Sequence, residues 1–95
     1  MNKNIMASPI VMIDFETTGL SPANGDRVTE VAALRIIGSE VVERFVSLIN
    51  CGVYIPSFIT QLTGITQKMV NSAPPASKVI PELLQFIGTD TLSAH

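Results

Sequence analysis

Two extended segments with almost nothing between them constrain the fold of this chain more than any other feature. Residues 27–37 and 41–49 are both rich in β-branched side chains, which favour strands. The connection GSE between them is too short for a crossover, since a parallel pair needs roughly a dozen residues or more to return along the sheet. The sequence therefore predicts that these two strands are antiparallel neighbours.

An apolar run at residues 9–16 predicts a further strand that precedes this pair. The alternation of side chains gives it two faces, one with Ile10, Met12, Asp14 and Glu16 and the other with Val11, Ile13 and Phe15. Because apolar residues occupy both faces, we expect the strand to be covered on both sides and to lie in the middle of the sheet. A loop at residues 21–26 joins it to the pair and completes a three-stranded antiparallel meander.

The second half of the chain changes to helical spacing. Residues 56–62 begin with proline, which is favoured at the first position of a helix, and Gly64 follows as a C-terminal cap. Within this segment the apolar positions are Phe58, Ile59 and Leu62. We therefore expect a short helix that packs through these side chains.

Two more helical segments and a strand complete the predicted elements. A short turn at residues 66–70 begins with a capping threonine, and residues 76–88 carry apolar side chains at helical spacing. Pro81 lies inside the second pattern, so this helix either starts late, near Ile80, or has kinked first turns. Residues 91–94 follow it as a fourth strand, which should lie parallel to a strand of the meander because it arrives after a helical crossover.

Length, charge and cysteine content limit the functional classes. The chain has 95 residues, 46% of them apolar, and a formal net charge of −2, which excludes a disordered chain and a basic surface for nucleic-acid phosphates. A single cysteine, Cys51, cannot form an internal disulfide. We expect a cytoplasmic protein without a membrane span, with a frayed lead-in at residues 1–8 and one domain at 9–95.

Asp14 and Glu16 interrupt the apolar pattern at the end of the first strand. Alternate strand residues point the same way and lie about 6.6–6.8 Å apart, so the two carboxylates can converge on a cation. Oxygen ligands favour Mg²⁺ or Mn²⁺, and two such ions about 4 Å apart are a common device for cleaving phosphodiesters. The alternative is that the two acids cap a sheet edge or solvate a loop.

A small polar turn follows the acids at Thr17, Thr18 and Gly19. The turn offers backbone N–H groups and hydroxyls close to the metals, and glycine permits the close approach of a ligand. Leu20 comes directly after it, at a position where a nucleobase could stack. These four residues are the predicted substrate contacts.

Four segments together resemble the DnaQ-like 3′–5′ exonucleases of the DEDD superfamily. The segment IDFETTGL is similar to the first motif of that family, a strand that ends D-x-E-T-[TA]-G-L. The segments RVTEVAALRI, IPSFITQLTGITQKMVNSAPP and VIPELLQFIGTDTLSAH are similar, in the same order, to later parts of the proofreading domains of the polymerase III type. The resemblance implies an α/β fold of the ribonuclease H type, of which residues 10–95 correspond to the N-terminal portion.

The resemblance also implies roles for individual residues. Asp14 and Glu16 match the first two metal-binding acids, which hold two Mg²⁺ or Mn²⁺ ions in the complete domain. Thr17 and Thr18 match contacts to the terminal nucleotide, and Leu20 matches a position that lies against its base. The expected substrates are the 3′ ends of single-stranded DNA or RNA, and a polymerase partner or a fused polymerase domain is implied too.

Two further positions keep alternative interpretations. Glu30 matches an acidic position that supports the threonine turn or a water molecule, but it could equally be a sheet-edge acid near Arg27 or Arg44. Residues 63–65 match a loop near the base pocket, but they could equally form a helix cap followed by a core isoleucine. The motif patterns alone leave both choices open.

The resemblance stops at His95, before the second-motif aspartate and the third-motif residues that include the general base. We therefore expect little or no exonuclease activity from this chain alone. A second interpretation is a non-enzymatic remnant or half of a split domain, which acts through self-association or protein contacts. A generic metal-binding or phosphate-binding α/β module is the reserve hypothesis.

Overall fold

The computed structural model describes residues 8–19 and 27–94 of the chain. The elements in chain order are β1 (Ile10–Thr17), β2 (Val28–Ile37), β3 (Glu40–Leu48), α1 (Ser57–Thr63), α2 (Gln67–Asn71), α3 (Ala76–Ile87) and β4 (Thr91–Ala94). The bounds of the first three strands differ by one residue at most from those predicted from the sequence. Residues 1–7 of the predicted lead-in (1–8) and the predicted loop at 21–26 lie outside the described residues.

The four strands form one sheet in the order β3-β2-β1-β4. β1 pairs with β2 and β2 with β3 in antiparallel fashion, which confirms the meander. β4 pairs with β1 in parallel, from Ile10 beside Thr91 to Ile13 beside Ala94, and α3 supplies the crossover that a parallel connection requires. β1 therefore has neighbours on both sides, as the sequence predicted for the central strand.

A two-residue turn joins β2 to β3, because Ile37 and Glu40 are the last residues to pair. Gly38 has a φ of 64°, a left-handed value that glycine adopts at little cost and that suits the first central position of a type II′ hairpin turn. This turn fixes the register of β2 and β3 at one end of the sheet.

α3 covers one face of the sheet and forms the main core with it. Val11 and Ile13 of β1 and Val31 and Ala33 of β2 point toward this helix and are at most 5% exposed. The buried helix residues in this cluster are Val79 and Leu83. Burial of the alternate residues 11 and 13 on one face is what the strand periodicity predicts.

α3 begins at Ala76, so the predicted late start near Ile80 is wrong. Pro81 lies inside the helix and cannot donate a hydrogen bond to the carbonyl of Ser77. Val79, which precedes Pro81, is fully buried against the sheet. Packing of this turn therefore outweighs the bond that the proline removes.

The opposite face of the sheet is less covered in the described part of the chain. This face carries Ile10 and Asp14 of β1 and, across the register, Val46 of β3. Ile10 is 40% exposed and Val46 is 60% exposed, whereas Met12 is half-buried. The expectation that β1 is covered on both sides therefore does not hold for the described elements, since α3 packs on only one face.

α1 and α2 enclose a second, smaller cluster of buried residues, Ile55, Ile59, Ile65 and Val70. Both predicted caps are confirmed: Gly64 has a φ of 79° and donates its N–H to the Thr60 carbonyl, and the Thr66 hydroxyl accepts from the Met69 N–H at 3.1 Å. In the part of the chain that the structure describes, no helix is long and apolar enough to cross a membrane.

Candidate active site

The carboxylates of Asp14 and Glu16 lie on the same face at the C-terminal end of β1, as predicted. Asp14 is opposite Ala32 and Glu16 is opposite Glu30 in the antiparallel pair with β2. Asp14 is exposed and Glu16 is half-buried. Alternation along a regular strand separates the two residues by about 6.6–6.8 Å, so both side chains can reach one cluster of cations.

The donor set of this pair suits a hard divalent cation. Two carboxylates offer four oxygens, and Mg²⁺ prefers a few carboxylate ligands with its remaining positions filled by water or substrate phosphate. Among residues 8–19 and 27–94, however, no three His, Cys, Asp or Glu side chains are close enough to hold a metal ion together. In the described residues, Asp14 and Glu16 are therefore a pair of acids on one strand face that no third such side chain joins.

Glu30 lies across from Glu16, and both side chains are half-buried. β2 runs between β1 and β3, so Glu30 is in the interior of the sheet and the interpretation as a sheet-edge acid is wrong. Like charges directly opposite each other in an antiparallel pair are destabilising. The sheet thus brings a third acid to the same end, although not within a common metal cluster.

The turn after Glu16 is anchored by hydrogen bonds to β2 and to Arg27, the residue that precedes β2. The register shifts between Glu16 and Thr17, which pairs with Val28 and not with Thr29. The Thr29 hydroxyl donates to the Glu16 carbonyl at 3.1 Å. This bulge turns the chain away from the sheet directly after the acid pair.

Thr18 is buried in this turn, with 3% exposure. Its N–H donates to the Arg27 carbonyl at 2.8 Å, and its hydroxyl accepts from the Arg27 N–H at 2.9 Å. The expectation of free N–H groups in the turn is therefore wrong for Thr18, since both groups close the end of the β1–β2 pair. Thr17 is half-buried, and its hydroxyl donates to the Gly19 carbonyl at 2.6 Å.

A cleft of about 660 Å³ opens between this turn and α1. Its lining residues are Phe15, Glu16, Thr17, Thr18, Gly19, Pro56, Phe58, Ile59, Leu62 and Thr63. The volume lies in the usual range for small-molecule sites, and the lining combines an acid and polar turn with apolar walls. The cleft therefore brings three of the four predicted substrate contacts together with one predicted metal ligand, and Leu20, the fourth contact, lies outside the described residues.

Sequence reasoning missed two walls of this cleft, Phe58 and Leu62. Both were expected to pack as apolar positions of α1, but they are 61% and 80% exposed, and only Ile59 of the three is buried. The spacing contained the signal: Phe58 and Leu62 are four residues apart and share a helix face, whereas Ile59 is about 100° away from Phe58. A helix this short buries one face and leaves the other for the cleft.

The loop after α1 contributes to both structure and cleft. Gly64 is the helix cap and Ile65 is 4% exposed in the second core cluster, which confirms the structural interpretation of those two residues. Thr63 lines the cleft, while its hydroxyl donates to the Ile59 carbonyl at 2.8 Å and accepts from the Ile65 N–H at 3.1 Å. These bonds fix the position of the cleft wall at the end of α1.

Two other acidic residues of the described chain fall outside the site. Asp90 lies before β4, as predicted, and accepts a hydrogen bond from Arg35 at 2.9 Å. Glu82 is exposed on α3, also as predicted. His95 is outside the described residues.

Comparison with known proteins shows where these features recur. Residues 11–95 match the model of the exonuclease family RNase_T. The chain is 36% identical over 95 residues to DNA polymerase III subunit epsilon of Aquifex aeolicus. This match covers 100% of the chain and 46% of that protein. The chain is also 41% identical over 85 residues to the PolC-type DNA polymerase III of Clostridium perfringens. This second match covers 90% of the chain and 6% of that protein.

A solved structure shows the same fold. The nuclease domain of 3′hExo, a DEDDh family member bound to rAMP, superposes with a TM-score of 0.77 at 23% identity, over 93% of this chain and 50% of that one. The chain corresponds to the N-terminal part of the ribonuclease H-like fold and spans less than half the length of both curated relatives. The sequence match, the fold and the ordered motifs agree, and the chain belongs to the DnaQ-like 3′–5′ exonuclease family.

Proposed function

We propose that this chain supplies the first metal-binding strand and the terminal-nucleotide cleft of a 3′–5′ exonuclease. The observation that carries the proposal is the position of Glu16, which shares a strand face with Asp14 and also lines the 660 Å³ cleft. A nucleotide held in the cleft would have its phosphate beside the two carboxylates. The acids and the cleft then act on the same end of a nucleic-acid strand.

Asp14 and Glu16 are the residues that would hold the two Mg²⁺ or Mn²⁺ ions of the complete site. Such ions supply Lewis-acid stabilisation of the charge that develops on the phosphodiester. The chain's own part is to keep the two carboxylates on one face of a strand that is hydrogen-bonded on both sides. In this proposal Glu30, on the neighbouring strand, supports the threonine turn or a water molecule and is not itself a ligand.

The cleft residues divide into those that hold the turn and those that face the ligand. Thr18 is buried and bonded to Arg27, so it holds the turn in place. Thr17 contacts the terminal nucleotide and Leu20 contacts its base, as the resemblance implies, and Gly19 permits the close approach of the ligand. Phe58 and Leu62 add an exposed apolar wall on which a base stacks, and stacking tolerates any base sequence.

The substrate class follows from the site and the relatives. The formal net charge of −2 offers no broad basic surface for a duplex, so binding depends on the cleft and the metal site. Both curated relatives are named as DNA polymerase III proteins, which supports the 3′ end of a DNA strand and a polymerase partner or fused polymerase domain. RNA 3′ ends are the alternative, and a matched pair of DNA and RNA oligonucleotides separates them.

We further propose that the 95-residue chain alone does not complete the catalytic site. The described residues place two acids on one face of β1, and no third acid joins them in a common cluster. The test is incubation of the chain with a 3′-labelled single strand and Mg²⁺ or Mn²⁺. Trimming that the Asp14→Ala variant abolishes would overturn this part of the proposal.

Metal binding tests the site itself without requiring activity. Calorimetric titration with Mn²⁺ is expected to show weak, millimolar binding, because only two carboxylates converge. The variants Asp14→Asn and Glu16→Gln should each abolish it, whereas Glu82→Gln, which neutralises an exposed acid on α3, should leave it unchanged. Equal binding by all four proteins would contradict the assignment of Asp14 and Glu16.

One observation favours a second candidate, a half-domain that another chain completes. The face of the sheet opposite α3 exposes Ile10 by 40% and Val46 by 60%. Exposed apolar sheet surface favours association. Size-exclusion chromatography with light scattering tests this candidate: a dimer or larger species supports it, and a strict monomer that unfolds cooperatively argues against it.

A further inference from the structure

The side chain of Arg35 joins three elements on the α3 side of the sheet. Its Nε donates to Asp90 Oδ2 at 2.9 Å, its Nη1 donates to Glu43, and its Nη2 donates to the carbonyl of Phe86. The guanidinium carbon lies 4.4 Å from the centre of the Phe86 ring. With only 15% of its side chain exposed, Arg35 connects β2 to β3, to the end of α3 and to the turn before β4.

Arg35 donates a hydrogen bond to the C-terminal end of α3, which has no basic residue in its own last turn. The carbonyl of Phe86 is among the last four of the helix, which lack donors within the helix. A guanidinium at this position supplies a donor and a positive charge at the negative end of the helix dipole. The hydrogen bond that Arg35 donates to Asp90 is the main cause of the raised pKa of Arg35.

β4 has few other contacts that could fix its position. It is four residues long, all four are exposed, and Leu92 is 54% exposed. Among the described elements it is an edge strand that pairs with β1 alone. A strand without a buried face specifies its register weakly, so the ion pair at its start becomes important.

We propose that Arg35 is a positioning residue that sets the register of β4 on β1 through Asp90. Asp90 immediately precedes Thr91, the first residue to pair, and the observed register ends with Ala94 beside Ile13. That pair is one residue before Asp14 along β1. The relevance to catalysis rests on the proposed function, but the register itself does not.

A slip of β4 by two residues would displace Ala94 by about 6.6 Å along β1, which is as large as the separation of alternate strand residues. Such a slip would change which part of the chain reaches the acid pair. Arg35 therefore acts on the site from the opposite end of the sheet, through the helix end and the turn that it holds.

The test is nuclear magnetic resonance on the full chain, read through contacts between backbone protons of β1 and β4. The native chain should show contacts that link Ile13 with Ala94. The Arg35→Met variant, which keeps the length of the side chain but removes the donors, should lose these contacts or show a second set. Amide exchange in β4 should accelerate at least tenfold, while amides of the α1–α2 cluster should not change.

Three further variants separate register from general stability. Asp90→Asn should also lose the contacts between Ile13 and Ala94. This variant tests the proposal if Arg35→Met does not fold. Glu43→Gln should keep the native contacts, because Glu43 is 60% exposed and holds no part of β4. Val70→Ala lowers stability through the second core cluster and should also keep them.

Unchanged contacts between Ile13 and Ala94 in both Arg35→Met and Asp90→Asn would overturn the proposal. Addition of Mn²⁺ separates it from the proposed function. In the native chain, Mn²⁺ held by Asp14 and Glu16 should broaden the amide signal of Ala94. If Mn²⁺ does not broaden the Ala94 signal, or broadens it equally in the Asp14→Asn variant, the result counts against the metal site. Either outcome leaves the register result intact.

Discussion

Glu16 and Glu30 lie directly opposite each other in the antiparallel pair of β1 and β2, and both are half-buried. Two like charges in this arrangement cost about 0.2–1 kcal/mol of the free energy of unfolding relative to neutral neighbours. A cation beside Glu16 would offset part of this cost. The pair therefore gives a stability measurement that reports on metal binding.

The Glu30→Gln variant should be more stable than the native chain without metal, by about 0.5 kcal/mol, because it removes the repulsion and keeps the shape of the side chain. Added Mn²⁺ should then stabilise the variant less than the native chain. Urea denaturation with and without Mn²⁺ measures both effects. Glu40→Gln, an exposed acid at the start of β3, is the control and should change neither value. A less stable Glu30→Gln variant would show that Glu30 contributes a favourable contact instead.

Thr18→Val should destabilise the chain by about 1 kcal/mol, the usual net value of one hydrogen bond, because valine keeps the buried shape and loses the acceptor for the Arg27 N–H. Thermal unfolding measures the loss. Thr17→Val is the matched control. Thr17 is half-buried, and its hydroxyl donates a hydrogen bond only to the carbonyl of Gly19, two residues further along the chain. An equal or larger loss in Thr17→Val would contradict the assignment of Thr18 as the anchor of the turn.

Phe58→Ala should weaken the binding of a short oligothymidylate about 5-fold to 160-fold, since stacking of one base on an aromatic ring contributes about 1–3 kcal/mol. The free energy of unfolding should change by no more than about 0.5 kcal/mol, because the side chain is 61% exposed. Fluorescence anisotropy measures binding, and urea denaturation measures stability. Ile59→Ala gives the contrasting result, with a loss of about 2–5 kcal/mol in stability from the second core cluster. Native affinity in Phe58→Ala would contradict the proposed stacking of a base on this residue.

The strands were predictable from the sequence because their signal is local. The β-branched runs, the short connection that begins at Gly38 and the alternation in β1 each specify one element and its neighbour. The acid pair was predictable for the same reason, since alternation alone places Asp14 and Glu16 on one face.

Features that depend on tertiary packing were not predictable. Thr18 resembles an open turn residue in sequence, and only its pairing with Arg27 across the bulge shows that it is buried. Phe58 and Leu62 resemble core positions in the sequence. In the structure the second cluster buries Ile59 of α1, and the face with Phe58 and Leu62 stays exposed. Of the two alternatives for α3, the late start near Ile80 was wrong for a related reason, because the proline penalty is local and the compensating burial of Val79 comes from the sheet.

Pro81→Ala should stabilise the chain, because alanine restores an N–H that can donate to the Ser77 carbonyl within α3. A proline inside a helix costs about 3 kcal/mol relative to alanine, and part of the gain is offset by about 0.4–1 kcal/mol because alanine leaves the unfolded chain more freedom. We expect a net increase of about 2–2.6 kcal/mol in the free energy of unfolding, measured by urea denaturation. Glu82→Ala, at the next exposed position of α3, should change stability by less than about 0.5 kcal/mol. An unchanged or lower stability in Pro81→Ala would mean that α3 is already adapted to the missing bond at this turn.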